Sequence, residues 1–269
     1  MKGLADERIQ YFRNDSNSGQ EVSRMNGFRH ARGKYVTFMD DDDYYTDYEF
    51  FSKAVKIFEE HESDKVPIVM VCANAKVMNM QTNQTRDSNI GRPGRVKGID
   101  YVLGRGYDKP PSTFPAVFRA DILRQAGLED KMIFDTMTYI EAALEGDAWF
   151  ISDVIGVYRV HGHNHSHGLK DHPADNARHY KIAGENIRRW KHAAEVVQTR
   201  TDKHTADSLY IRTMFGLMGF YAVARPEITH RLKTLKCALK VSGFMPKLWL
   251  NIPLKFVKHI MNKIRPGKH

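Results

Sequence analysis

The chain has 269 residues, with 41 Lys+Arg against 32 Asp+Glu (formal net charge +9) and 42% hydrophobic residues. This is too apolar for a disordered chain, and two cysteines are too few for a disulfide scaffold. Neither Cys72 nor Cys237 has a nearby partner or a metal-ligand spacing, so a reducing cytoplasm is the expected compartment; residues 1–14 lack the apolar core of a signal peptide.

Residues 8–13 (RIQYFR) alternate and predict a short strand, with turn residues over 14–19. Residues 20–31 predict a helix ended by Gly33, and residues 34–39 (KYVTFM), β-branched and aromatic, predict a buried strand. Four aspartates, Asp40, Asp41, Asp42 and Asp43, follow at once. Asp47 is placed to cap the next helix, where Phe50, Phe51, Ala54, Val55 and Phe58 recur at helical spacing. Residues 66–77 predict a further strand, and the polar stretch 81–95, with Gly91, Pro93 and Gly94, a mobile loop. A strand over 114–118 leads into a helix over 120–126 stopped by Gly127. Asp135 opens a helix to Leu144 closed by Gly146, and strands near 148–151 and 155–160 follow. Strands and helices thus alternate up to residue 160, the pattern of an α/β sandwich with a mostly parallel sheet, and the remainder reads as helical. The apolar stretch 209–223 contains Arg212 and falls short of the roughly twenty residues that span a bilayer, so it is expected to be a buried helix.

The charge is concentrated at one end. Residues 228–269 contain no Asp or Glu but ten Lys or Arg; removing those ten leaves 31 cations against 32 acids, a nearly neutral body. The cations are interleaved with Leu248, Trp249, Leu250, Ile252, Phe256, Val257 and other bulky apolar residues, which suits a segment lying in an anionic lipid surface. An amphipathic helix packed on its own domain is the plainer alternative. Nucleic acid is not expected as a partner, because tracking phosphates does not need the aliphatic residues.

The aspartates stand directly beyond a buried strand, where open α/β sheets bind their ligands. Four adjacent acids repel one another, and a divalent cation relieves that repulsion. Alternate residues of an extended chain point the same way, so Asp40 and Asp42 are the expected pair for one ion, and hard oxygen ligands favour Mg²⁺ or Mn²⁺. A solvated acidic turn is the alternative reading.

Asn17, Gly19, Arg24, Gly27, Ala31, Gly33 and the run from Lys34 through Tyr35, Val36, Thr37, Phe38 and Met39 to Asp40–Asp43 resemble the central signature of family-2 glycosyltransferases, with Met25 in place of the expected Asn. The resemblance implies a GT-A-like, Rossmann-like three-layer α/β/α sandwich, a nucleotide-diphosphate sugar as donor, and a DxD motif holding the metal on the donor's diphosphate. Asp40, Asp41, Arg24, Asn17 and Gly19 would then bind the donor, with Asp42 and Asp40 on the metal. The family's first strand and its D-D-G-S-like turn have no counterpart here, so the resemblance, which runs from Arg8 to His161, implies a domain truncated at its N-terminal side.

An inverting transfer needs a carboxylate to take the proton of the attacking hydroxyl. Asp135 is the candidate: it follows Ile133-Phe134, stands at a helix start and precedes Gly146 as the family's catalytic Asp precedes a glycine. A plain N-cap is its alternative reading, and Glu141 and Asp147 are the other candidates. Pro110-Pro111-Ser112-Thr113 resembles the family's segment near the acceptor. Tyr158-Arg159-Val160-His161 resembles its closing strand, after which His161 would approach the metal; the alternating His163, His165 and His167 read as a polar loop or a Zn²⁺ trap.

These readings together predict a partial glycosyltransferase domain over 1–168, a helical extension over 169–226 and a basic amphipathic tail over 227–269. The expected function is metal-dependent, inverting transfer to a polysaccharide or lipid-linked acceptor by a peripheral protein at the inner face of the plasma membrane. An inactive remnant serving as a membrane-associated binding module, or a metal-dependent phosphoester hydrolase, are the alternatives.

Overall fold

The computed structural model describes residues 6–131, 133–161, 176–202, 205–206 and 209. The expected boundaries near 168 and 226, the histidines 163, 165 and 167, most of the apolar stretch 209–223 and the basic tail lie outside the described residues.

The chain divides into two compact units, one of residues 1–78 and 85–158, the other of residues 79–84 and 159–269. The first holds α1 (Gln20–His30), β1 (Tyr35–Val36), β2 (Tyr44–Tyr45), α2 (Phe50–Glu60), most of β3 (Ile68–Asn79), β4 (Thr85–Asp87), β5 (Gly94–Val96), α3 (Gly98–Leu103), β6 (Ala116–Arg119), α4 (Ala120–Gln125), α5 (Asp135–Glu145) and most of β7 (Asp147–Val160). The sheet runs β1-β6-β3-β7-β2, with β4 beside β3 and β5 beside β7.

β3 forms its centre because Ile68 to Ala73 is an unbroken apolar run, every residue of it buried. Phe50, Ala54 and Phe58, at helical spacing along α2, pack with Val71, Ala73 and Ala75 of β3 and with Phe114, Val117 and Ile155. Successive strand residues face opposite ways, so Phe118 lies on the sheet face opposite Val117. There it meets Tyr139 of α5, ring centroids 5.2 Å apart, while Tyr101 of α3 packs edge-on to Phe150 of β7 at 5.9 Å. Helices on both faces of one sheet give the expected three layers.

Several elements differ from the sequence expectation. Residues 8–13 form no strand: Ile9, Tyr11 and Phe12 are exposed, and without a pairing neighbour among the described residues no ladder can form. The strand expected over 34–39 shortens to Tyr35–Val36, because the aspartates after it favour a turn. Asp47 does not cap α2. Its Oδ1 accepts the Glu49 N–H at 2.8 Å in a local turn, and its other oxygen takes Lys53 Nζ at 3.0 Å. The stretch 81–95 contributes β4 and β5 instead of a mobile loop, and the two short strands expected after Gly146 are one continuous β7. The pairings β1–β6, β3–β6, β3–β4, β5–β7 and β2–β7 are antiparallel, against the mostly parallel sheet that alternation suggested. Alternation reports how often the chain crosses the sheet, and it does not fix the direction of return.

In the second unit, Met80 N–H donates to Val160 O at 2.9 Å, and Asn79 Oδ1 accepts from Gln81 and Thr82 N–H to close the 79–84 turn. Helix α6 (Asn176–Arg200) belongs to this unit, with Ile187, Trp190, Ala193, Ala194 and Val197 buried along one stripe. No helix among the described residues is long and apolar enough to cross a membrane.

Candidate active site

The aspartates do not continue β1 in extended form. Asp43 N–H approaches Asp40 O at 3.4 Å, so residues 40–43 fold into a turn. The turn returns Asp43 to the side of Asp40 and leaves Asp41 exposed at its tip. As a result Asp40, Asp42 and Asp43 each offer a carboxylate oxygen within 4.8 Å of the others, and Asp43 is almost wholly buried. Three hard oxygen donors at that spacing suit Mg²⁺ or Mn²⁺.

Helix α1 supplies the groups that meet this turn. Gln20 and Arg24 are four residues apart and so share one helix face. Gln20 Nε2 donates to Asp40 Oδ1 at 3.0 Å and to Oδ2 at 3.2 Å, and an Arg24 terminal nitrogen donates to Asp40 Oδ1 at 2.6 Å. The other terminal nitrogen of Arg24 bonds Asp135 Oδ1. Asn17 and Gly19 shape the entry to α1: Asn17 Oδ1 accepts the Gly19 N–H at 3.2 Å, and Gly19, at φ 85°, occupies the left-handed region that a side chain disfavours. The helix is docked by Phe28, edge-on to Phe38 at 6.0 Å, and by Ile133 N–H donating to Glu21 O at 3.1 Å.

Burial raises the Asp40 carboxyl above its usual range; Arg24 pulls it down, and Asp135 and Asp42 push it up again. Burial works against the Arg24 charge as well, but the attraction of Asp135 and Asp40 outweighs it and keeps the guanidinium protonated. Asp135 is the first residue of α5, and the N-cap is Phe134, so the plain capping reading does not describe it. Its helix is fixed by Tyr139, fully buried, whose hydroxyl donates to Ser112 O at 2.9 Å. Ser112 and Thr113, in the segment expected near the acceptor, are buried.

Of the other candidates, Asp147 is engaged structurally: it accepts from Arg95 Nε at 2.7 Å and from Gly98 N–H at 3.0 Å, tying β5 and α3 to the start of β7. Glu141 is buried within α5, with Lys131 Nζ at 3.8 Å. His161 is in the second unit and is outside the group formed by Asp40, Asp42 and Asp43. Sequence reasoning missed three contributors. Gln20 carries no chemical signature, Asp43 joins only through the turn, and Tyr158 was read as part of a closing strand. The Tyr158 phenol is pushed up to about 12 by burial, with Asp43, Asp135, Asp42 and Asp40 adding to the effect, so it sits within the field of the carboxylates.

An acidic turn at the rim of the sheet in an α/β/α sandwich fits a GT-A-like fold. Residues 1–124 match the family described as glycosyl transferase family 2. No curated protein matches the chain significantly. Among solved structures it is similar to the crystal structure of S. aureus TarS 1-349, at 15% identity over 84% of this chain and 70% of that chain, with a TM-score of 0.46.

Proposed function

We propose that this protein is an inverting, metal-dependent glycosyltransferase that moves a sugar from a nucleotide-diphosphate sugar to a hydroxyl of a polysaccharide or lipid-linked acceptor. The observation that carries this reading is the convergence of Asp40, Asp42 and Asp43 on one point, joined through Arg24 to Asp135. Asp42 and Asp40, with Asp43 beside them, would hold Mg²⁺ or Mn²⁺. Such an ion, when bound, supplies positive charge for a departing diphosphate. On the donor side Asn17, Gly19 and Asp41 would orient the nucleotide sugar.

Asp135 takes the general-base role. Its side chain is 31% exposed, open enough to reach an acceptor hydroxyl, and Arg24 fixes its orientation. The carboxylate accepts the hydroxyl proton as the oxygen attacks the anomeric carbon from the face opposite the leaving group, which inverts the configuration. The basic tail would hold the protein against anionic lipid at the cytoplasmic face, close to a membrane-linked acceptor.

The test is nucleotide release from a panel of sugar donors with Mn²⁺, and the anomeric configuration of the product. Asp135→Asn is expected to lower kcat by about 10²- to 10⁴-fold with nucleotide binding retained. A variant with full turnover, or a product with retained configuration, contradicts the assignment.

A further inference from the structure

We propose that Arg24 is a positioning residue that sets the geometry between the carboxylate cluster and the base and that competes with the divalent cation for Asp40; this rests on the function proposed above. Its guanidinium is the only described cation bonded to both Asp40 and Asp135, 16 and 111 residues away in sequence. The side chain is 9% exposed, and Nε is buried without a hydrogen-bond partner. Leaving that donor unmet is costly, so the two carboxylates must be what holds the group in place.

Two consequences follow from charge and shape. The planar fork of arginine holds two carboxylates at a fixed separation, which a lysine ammonium cannot do. Asp135 therefore takes its orientation from Arg24, and through it from Asp40. At the same time Arg24 and Gln20 together engage both oxygens of Asp40. A metal ion reaching Asp40 must share Oδ1 with Arg24 or take Oδ2 beside the neutral Gln20 amide, and in either case the nearby Arg24 charge holds the metal affinity of the cluster below what three carboxylates alone would give. Binding strength is thereby exchanged for an oriented base.

Calorimetric titration of the full chain with Mn²⁺, together with steady-state transfer, tests this. Arg24→Gln is expected to bind Mn²⁺ about tenfold more tightly, the size expected when one neighbouring unit charge is removed, while kcat falls on the order of a hundredfold. Arg24→Lys keeps the charge and loses the fork. It is expected to keep an Mn²⁺ affinity within about twofold of wild type and a similar donor KM, with kcat reduced nearly as far as in Arg24→Gln. A merely structural arginine would show no tightening of Mn²⁺ and no split between kcat and KM. Equal or weaker Mn²⁺ binding by Arg24→Gln, or wild-type kcat in either variant, overturns the proposal. Should Arg24→Gln fail to fold, Arg24→Lys decides alone, and full kcat overturns it. Asp42→Ala separates the two levels. If it binds Mn²⁺ like wild type, the metal reading itself fails; if it loses Mn²⁺ while Arg24→Gln shows no tightening, only the role of Arg24 fails.

Discussion

Tyr158 lies among four aspartates and is half-buried, which makes its hydroxyl a reporter on the site. Its ordinary pKa of 10.0 rises to about 12 in the folded chain, first through burial and then through Asp43 and Asp135. The folded state therefore favours the neutral phenol. Its contribution to stability is full below pH 10 and is lost as pH climbs through about 12. Tyr158→Phe is expected to flatten the decline of stability across that window in denaturant titrations; an unchanged slope means that the phenol titrates as if exposed. Asp40 and Asp42 stand out in the sequence because a run of acids after an apolar strand demands compensation, whereas Arg24 and Asp135 are singled out through the resemblance to family-2 glycosyltransferases. Gln20 and Asp43 are not, since their parts depend on a helix face and a turn that periodicity alone cannot orient.

The short strand β2 carries the acidic turn at one end and pairs with β7, Tyr45 opposite Gly156. A Cβ at Gly156 would stand 2.5 Å from Tyr44 O and 2.7 Å from Phe114 Cε2, so a side chain there must push β2 away from β7. Gly156→Ala is expected to cost about 1–3 kcal/mol of stability, the usual penalty of overpacking. It should also weaken Mn²⁺ binding, because Asp43 directly precedes β2. A thermal melt and Mn²⁺ titration matching wild type would show that β2 does not hold the turn. Helices α1, α2, α4 and α5 were legible nearly to their ends, since their apolar spacing and stop residues act locally. Strand direction and the small strands β4 and β5 were not, because pairing joins residues far apart in sequence, as Lys76 with Asp87 and Arg95 with Trp149.

For the whole chain, the division between a nearly neutral body and a cationic end was the plainest feature of the composition. If that end meets lipid, the intact protein is expected to sediment with vesicles containing phosphatidylserine and to leave them as salt rises, because the attraction is about 1 kcal/mol per cation and is screened over about 10 Å. Equal sedimentation with zwitterionic vesicles, or none with either, would assign the tail to another role. The identity of the sugar and of the acceptor was not legible, since selectivity depends on surfaces built by residues far apart in sequence. The central claim, that Asp40, Asp42 and Asp43 hold a divalent ion to receive a diphosphate, is tested most directly by titrating the intact protein with nucleoside diphosphates in Mn²⁺ and in chelator. Uptake that requires Mn²⁺ and disappears in Asp42→Ala is the predicted result; uptake that is equal in chelator, or that survives in Asp42→Ala, would contradict it.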